Sequence, residues 1–128
     1  YDENSDSTIS AYDTVAVNVS TTGTYAFRYD VAAATQASFS AAGFTASNGV
    51  VAFSSTFASD VTARASAIAA NTTAGDAASF VDNAGNAYLF VKGSTDNLVV
   101  QVGSATVSAI LSLNVNASNN INLKIAGS

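Results

Sequence analysis

The residues best suited to chemistry in this chain are oxygen donors in turn-like stretches: Asp76, Asp82, Asn83, Asn86, Asp96 and Asn97. A hard cation such as Ca²⁺ takes about six to eight oxygens from carboxylates, carboxamides and carbonyls. Asp82, Asn83, Asp96 and Asn97 are therefore candidate calcium ligands, provided their turns meet at one end of a sheet. Asp and Asn are also the residues that tight turns select, so the same positions have an ordinary structural explanation. A second cluster, Asp2, Glu3, Asn4 and Asp6, lacks the spacing of an EF-hand loop and reads as a solvated acidic tail.

Catalytic chemistry has little to work with. His, Cys, Trp, Met and Pro are all absent, and only 10% of the residues are charged. A nucleophile would have to be Ser or Thr activated by Lys92, Lys124 or an Asp, or else paired carboxylates would have to face each other across a cleft. The single Glu, Glu3, sits in the acidic N-terminal stretch. No Gly-Lys-Ser/Thr phosphate loop occurs, and zinc has neither His nor Cys to bind. The composition points to a non-enzymatic protein.

The length of 128 residues suits one domain. Much of the 48% hydrophobic content is Ala, so 7 Phe, 5 Tyr and the Val, Leu and Ile runs must anchor the core. Four basic residues against nine acidic ones give a net charge of −5, which argues against nucleic acid or anionic lipid as partner. No apolar run reaches the ~18 residues of a membrane span, and no basic segment followed by an apolar core opens the chain. Without Met, the chain reads as a mature piece or an excised domain. Without Cys, it has no disulfides.

The elements that must position these residues are mostly strands. After an acidic flexible arm over 1–12, Val15, Val17 and Val19 alternate with Ala16 and Asn18. A turn at Thr21-Thr22-Gly23 then leads to Tyr25, Phe27, Tyr29 and Val31, alternating with Ala26, Arg28 and Asp30; the two runs predict a hairpin. Ala32 to Ser47 reads as strand, Asn48-Gly49 as a tight turn, and Val50 to Phe53 as the strand leaving it. One helix is predicted from about Asp60 to Asn71, capped by Ser59 or Asp60, with Val61, Ala65 and Ile68 on its inner face and an end between Asn71 and Gly75. Strands follow at Ala77 to Val81, Ala87 to Lys92, Leu98 to Val102, Val107 to Val115 and Ile121 to Ile125. Tyr88 and Phe90 oppose Leu89 and Val91, so the second of these is apolar on both faces, as a central strand is. Phe80, Tyr88, Phe90, Leu98 and Val100 are expected to share one core. The fold class is mainly β: an antiparallel β-sandwich-like domain over 13–128 with one inserted α-helix.

Three runs within this pattern carry a family resemblance: Thr73-Ala74-Gly75-Asp76-Ala77-Ala78-Ser79-Phe80, Gly85-Asn86-Ala87-Tyr88-Leu89-Phe90-Val91 and Thr95-Asp96-Asn97-Leu98-Val99-Val100-Gln101-Val102. In order and turn chemistry this region, from the helix near Asp60 to Gly103, resembles the C-terminal part of bacterial surface-layer and related proteins exported by type I secretion. The resemblance implies an extracellular or cell-surface protein that is not an enzyme and that self-associates, often with calcium. The chain departs from that pattern in lacking glycine-rich calcium-binding repeats, and in carrying Asn86 and Asn97 where relatives often have Asp.

Other features have modest readings. Asn18-Val19-Ser20, Asn71-Thr72-Thr73 and Asn116-Ala117-Ser118 match the N-glycosylation sequon, a frequent chance match. The runs Ser20-Thr21-Thr22 and Ser54-Ser55-Thr56 read as polar strand edge or turn, and Tyr25, Phe27 and Tyr29 as core more than as a sugar platform. The expected function is a self-assembling surface-layer or filament subunit, with a homopolymer and a cell-surface glycan as partners. The alternative is a terminal secretion or sugar-binding module of a larger secreted adhesin. Neither reading involves membrane insertion.

Overall fold

The computed structural model describes residues 6–28, 35–55, 57, 60–116 and 120–127. Among them are β1 (Asp13–Val15), β2 (Gly23–Arg28), β3 (Thr35–Gln36), β4 (Phe39–Ala41), β5 (Phe44–Ser47), β6 (Val50–Phe53), α1 (Val61–Ala70), β7 (Asp76–Val81), β8 (Ala87–Val91), β9 (Leu98–Val102), β10 (Ala109–Val115) and β11 (Asn120–Ala126). The fold is mainly β with one helix, as the sequence patterns predict.

β8 organises the molecule. All five of its residues are buried, and it pairs antiparallel with β7 on one side and β9 on the other. Its alternating side chains leave the strand on both faces, and each face finds a separate apolar layer. Tyr88 and Phe90 join Phe80, Val99, Phe44 and Val51 under α1, which contributes Ala65 and Ile68. Ala87, Leu89 and Val91 join Leu98, Val100 and Val102 against a second sheet, which contributes Phe27, Leu113, Ile121, Leu123 and Ile125. Each large apolar side chain so buried stabilises the fold by about 1.5–3 kcal/mol. The large sheet runs β1-β9-β8-β7-β6-β5-β4, with β3 also on β7; the small sheet runs β10-β11-β2. Three layers result: helix, large sheet, small sheet.

Local chemistry explains the element ends. Asp60 caps α1, its carboxylate accepting from the Ala63 N–H at 2.7 Å. The helix ends at Asn71, whose side-chain amide donates to the Ala67 carbonyl at 2.9 Å, while Thr72 Oγ1 donates to the Ile68 carbonyl at 2.9 Å. Gly75 belongs to the turn into β7, its N–H donating to the Lys92 carbonyl at 2.8 Å. The β5–β6 hairpin closes through Asn48-Gly49 with φ of 49° and 85°, the left-handed pair that a two-residue turn requires.

Several expectations change. The predicted hairpin of Val15–Val19 with Tyr25–Val31 does not form. β1 runs parallel to β9, with Val15 opposite Val102, whereas β2 pairs antiparallel with β11 in the other sheet. Between them the Asn18 carboxamide accepts from the Ser20 N–H at 3.1 Å, turning the chain off the large sheet. Val19 is then buried between the sheets against Gly103, where a Cβ would lie 2.8 Å from Val19 Cγ1. Tyr29 and Val31 lie outside the described residues. The single core expected for Phe80, Tyr88, Phe90, Leu98 and Val100 is two cores, because Leu98 and Val100 point away from α1. Within the predicted arm, residues 1–5 lie outside the described residues, but Ser7 is buried: its carbonyl accepts from the Val99 N–H at 2.7 Å and its hydroxyl from the Asp13 N–H at 2.8 Å. That part of the stretch is fastened to the sheet edge.

Candidate functional site

Asp82 opens the turn between β7 and β8. Its Oδ1 accepts from the N–H groups of Ala84 and Asn86, both at 2.9 Å; its Oδ2 accepts from the Asn86 side-chain amide and the Tyr88 hydroxyl, both at 3.1 Å. Burial pulls this carboxyl's pKa up, but those four hydrogen bonds together outweigh burial and hold it below its ordinary value. The Tyr88 phenol is pushed well above its ordinary range by burial first, then by Tyr12 and the Asp82 charge. Tyr12 packs edge-on to Tyr88, with ring centroids 5.6 Å apart. The arrangement locks a turn and leaves the carboxylate little capacity for another ligand. Asn83 and Asn86 share the same turn, and Asn83 is exposed.

Asp96 and Asn97 lie in the turn between β8 and β9, where Asn97 Oδ1 accepts from the Gly93 N–H at 3.2 Å. β8 runs from one turn to the other, so Asp82 and Asn83 stand at one end of the sheet and Asp96 and Asn97 at the opposite end. Its five residues separate the turns by about 17 Å. One cation cannot touch both pairs, and the four candidate ligands do not form a calcium site together. Asp76, at the start of β7, shares the Asp96 end, but its carboxylate already accepts from Thr35 Oγ1 at 2.8 Å and the Thr73 N–H at 2.9 Å. Among the described residues no three acidic side chains cluster. Asp2, Glu3 and Asn4 lie outside them.

The remaining candidates are dispersed. Lys124 is exposed on the outer face of the small sheet, opposite Ser112 and Thr24. Phe27 is core, as expected, while Tyr25 is half-buried and donates its hydroxyl to the Asn18 carbonyl at 2.5 Å. Asn18 Oδ1 accepts from the Ser20 N–H at 3.1 Å, and Asn116 Oδ1 from the Asn120 N–H at 3.3 Å.

Two features escaped sequence reasoning. The first is a cleft of about 500 Å³ between the β5–β6 turn and β10, lined by Gln36, Ser47, Asn48, Leu111, Ser112 and Asn114, with Val50 and Leu113 beneath. Gln36 bridges its walls: the side-chain amide donates to the Leu113 carbonyl and, at 3.4 Å, to the Asn48 carbonyl. The β10–β11 register shifts between Ile110 and Ser112, and Leu111 at that irregularity is 49% exposed. The second is the unequal treatment of the small sheet's two edges, β10 and β2. β10 has the irregularity and the Gln36 contact, whereas β2 pairs only with β11 among the described strands.

No helix among the described residues is long and apolar enough to cross a membrane. Compared with known proteins, the chain matches no family model, no curated protein and no solved structure.

Proposed function

We propose that this chain is a non-enzymatic domain of an exported bacterial surface protein, and that it associates with copies of itself into a layer or filament outside the cell. The observation that carries this reading is β2: six residues at a sheet edge, with no Pro and a single charge, Arg28, at its end. Edge strands of soluble monomers are ordinarily blunted by Lys, Pro, bulges or a covering element, because their unpaired backbone groups recruit further strands. Low charge density supports the reading, since side chains such as Ser, Thr, Asn and Ala let surfaces approach with little electrostatic repulsion. The resemblance of residues 60–103 to surface-layer proteins points the same way. Neither argument requires a cofactor.

The test is light scattering and negative-stain microscopy across protein concentration, with and without calcium. The wild-type chain is expected to form filaments, sheets or large oligomers. A variant carrying Thr24→Lys and Ala26→Lys, both on exposed positions of β2, is expected to remain monomeric while unfolding at the same urea concentration. A strictly monomeric wild type in both conditions overturns the proposal.

A further inference from the structure

We infer that the cleft beside β10 is a binding site for a neutral saccharide. The inference stands apart from self-assembly, which concerns the opposite edge of the small sheet. Every residue lining the cleft is uncharged, in a chain whose net charge is −5. Three carboxamides, Gln36, Asn48 and Asn114, and two hydroxyls, Ser47 and Ser112, supply its polar groups. Carboxamides and hydroxyls each carry both donor and acceptor, matching a sugar hydroxyl, which is itself both; the Gln36 amide is already engaged with the Leu113 and Asn48 carbonyls and, at 3.5 Å, with Asn114 Oδ1, so Gln36 contributes its Oε1 as acceptor. An anionic or cationic ligand would find no counter-charge here. Leu111, carried outward at the β10 irregularity, gives the rim an apolar surface for the C–H face of a pyranose ring.

The walls are fixed before any ligand arrives. Asn48 is held by a two-residue turn with left-handed backbone, and its N–H donates to Ser38 Oγ at 3.1 Å. Gln36 ties that turn to β10. Preorganisation of this kind spares the ordering cost that weakens binding to mobile loops. An added peptide strand fits the same place less well. The Leu113 carbonyl, which such a strand would need, is already occupied by Gln36, and the register shift at Leu111 breaks the ladder.

Titration of the ¹⁵N-labelled chain, followed by amide chemical shifts, tests the assignment. The probes are neutral hexasaccharides of glucose (α-1,4 and β-1,4), mannose and N-acetylglucosamine, with a polygalacturonate fragment and a Thr/Val strand-forming hexapeptide for comparison. At least one neutral sugar is expected to shift the amides of Gln36, Asn48, Leu111 and Asn114, and the polygalacturonate to shift none of them. Asn48→Gly keeps the turn's backbone conformation and removes one carboxamide; Asn114→Ala removes another from an exposed position. Each is expected to weaken binding about fivefold, the loss of roughly one hydrogen bond, with an otherwise unchanged amide spectrum. Absence of shifts with all neutral sugars, shifts confined to other surfaces, or a response to the peptide alone overturns the inference.

Discussion

The two-sided burial of β8 can be tested by thermodynamic coupling. Phe90 is 1% exposed and faces α1, whereas Val100, on the neighbouring strand, is fully buried and faces the small sheet. Val99 lies directly across from Phe90 in the ladder and on the same side. Phe90→Ala should cost about 3–5 kcal/mol, the usual range for a buried ring that cannot be replaced by repacking. That is a large part of the ~5–15 kcal/mol that holds a typical domain, so the coupling cycles are better built on Phe90→Leu. Val99→Ala and Val100→Ala each delete two methyl groups, about 1.6 kcal/mol of transfer free energy at ~0.8 kcal/mol per group, plus a cavity term. Phe90 and Val99 share one cavity and should couple by about 0.5 kcal/mol or more; Phe90 and Val100 should add within about 0.5 kcal/mol. Urea unfolding read by circular dichroism and tyrosine fluorescence measures all seven proteins. Equal coupling in the two cycles, or an unchanged midpoint for Phe90→Ala, would refute the division into two cores.

Asp82→Asn should destabilise the domain by about 1–2 kcal/mol at neutral pH, since charge-assisted bonds from Asn86, Ala84 and Tyr88 weaken and the site is partly solvated. Because the folded-state pKa lies below the ordinary 3.8, this contribution is present above that value and is lost as pH falls through the lower folded one; the variant's stability should therefore fall less than the wild type's on acidification below about pH 4. Any calcium-induced rise in melting temperature should survive in at least one of Asp82→Asn and Asp96→Asn, because the two carboxylates stand at opposite sheet ends; a rise that both substitutions abolish contradicts that placement. Gly49→Ala should lower stability by at least about 1 kcal/mol, given its φ of 85° and a Cβ position 2.9 Å from Leu113 Cδ2, and a neutral result in urea unfolding would count against the turn as described.

Much of the large sheet was legible because its strands announce themselves locally. Ala87 to Val91 is apolar at every position and rich in aromatic and β-branched residues, as a strand covered on both faces is, and the structure covers it twice. The helix was equally legible from Asp60 and the spacing of Ala65 and Ile68. Failure came where the partner of a strand is distant in sequence. Nothing in Val15–Val19 records that Val15 will lie beside Val102, and a turn sequence between two alternating runs serves a hairpin and a crossing between sheets alike. The grouping of Asp82, Asn83, Asp96 and Asn97 at one sheet end failed for a different reason, one of parity. In a run of antiparallel hairpins successive turns alternate ends, so the turns before and after β8 could not meet, whatever their residue types. The cleft was invisible because Gln36, which joins its walls, sits in a segment without apolar period and contacts residues 77 positions away.

The small sheet makes an argument about orientation that the composition alone could not. A sheet with two open edges can polymerise through either, and copies would then add in mixed registers and directions. Here one edge is modified and the other is plain. At β10 the register shift displaces Leu111, and Gln36 occupies the Leu113 carbonyl, so an incoming strand meets neither a regular ladder nor an unoccupied acceptor at its centre. At β2 the alternation is regular over six residues, matching β11 position for position from Gly23 to Arg28. A domain that merely avoided association would need both edges blunted. One blunted edge beside one regular edge is what the proposed self-association needs: contact through β2 would be confined to a single side of the molecule, with the cleft along β10 on the other.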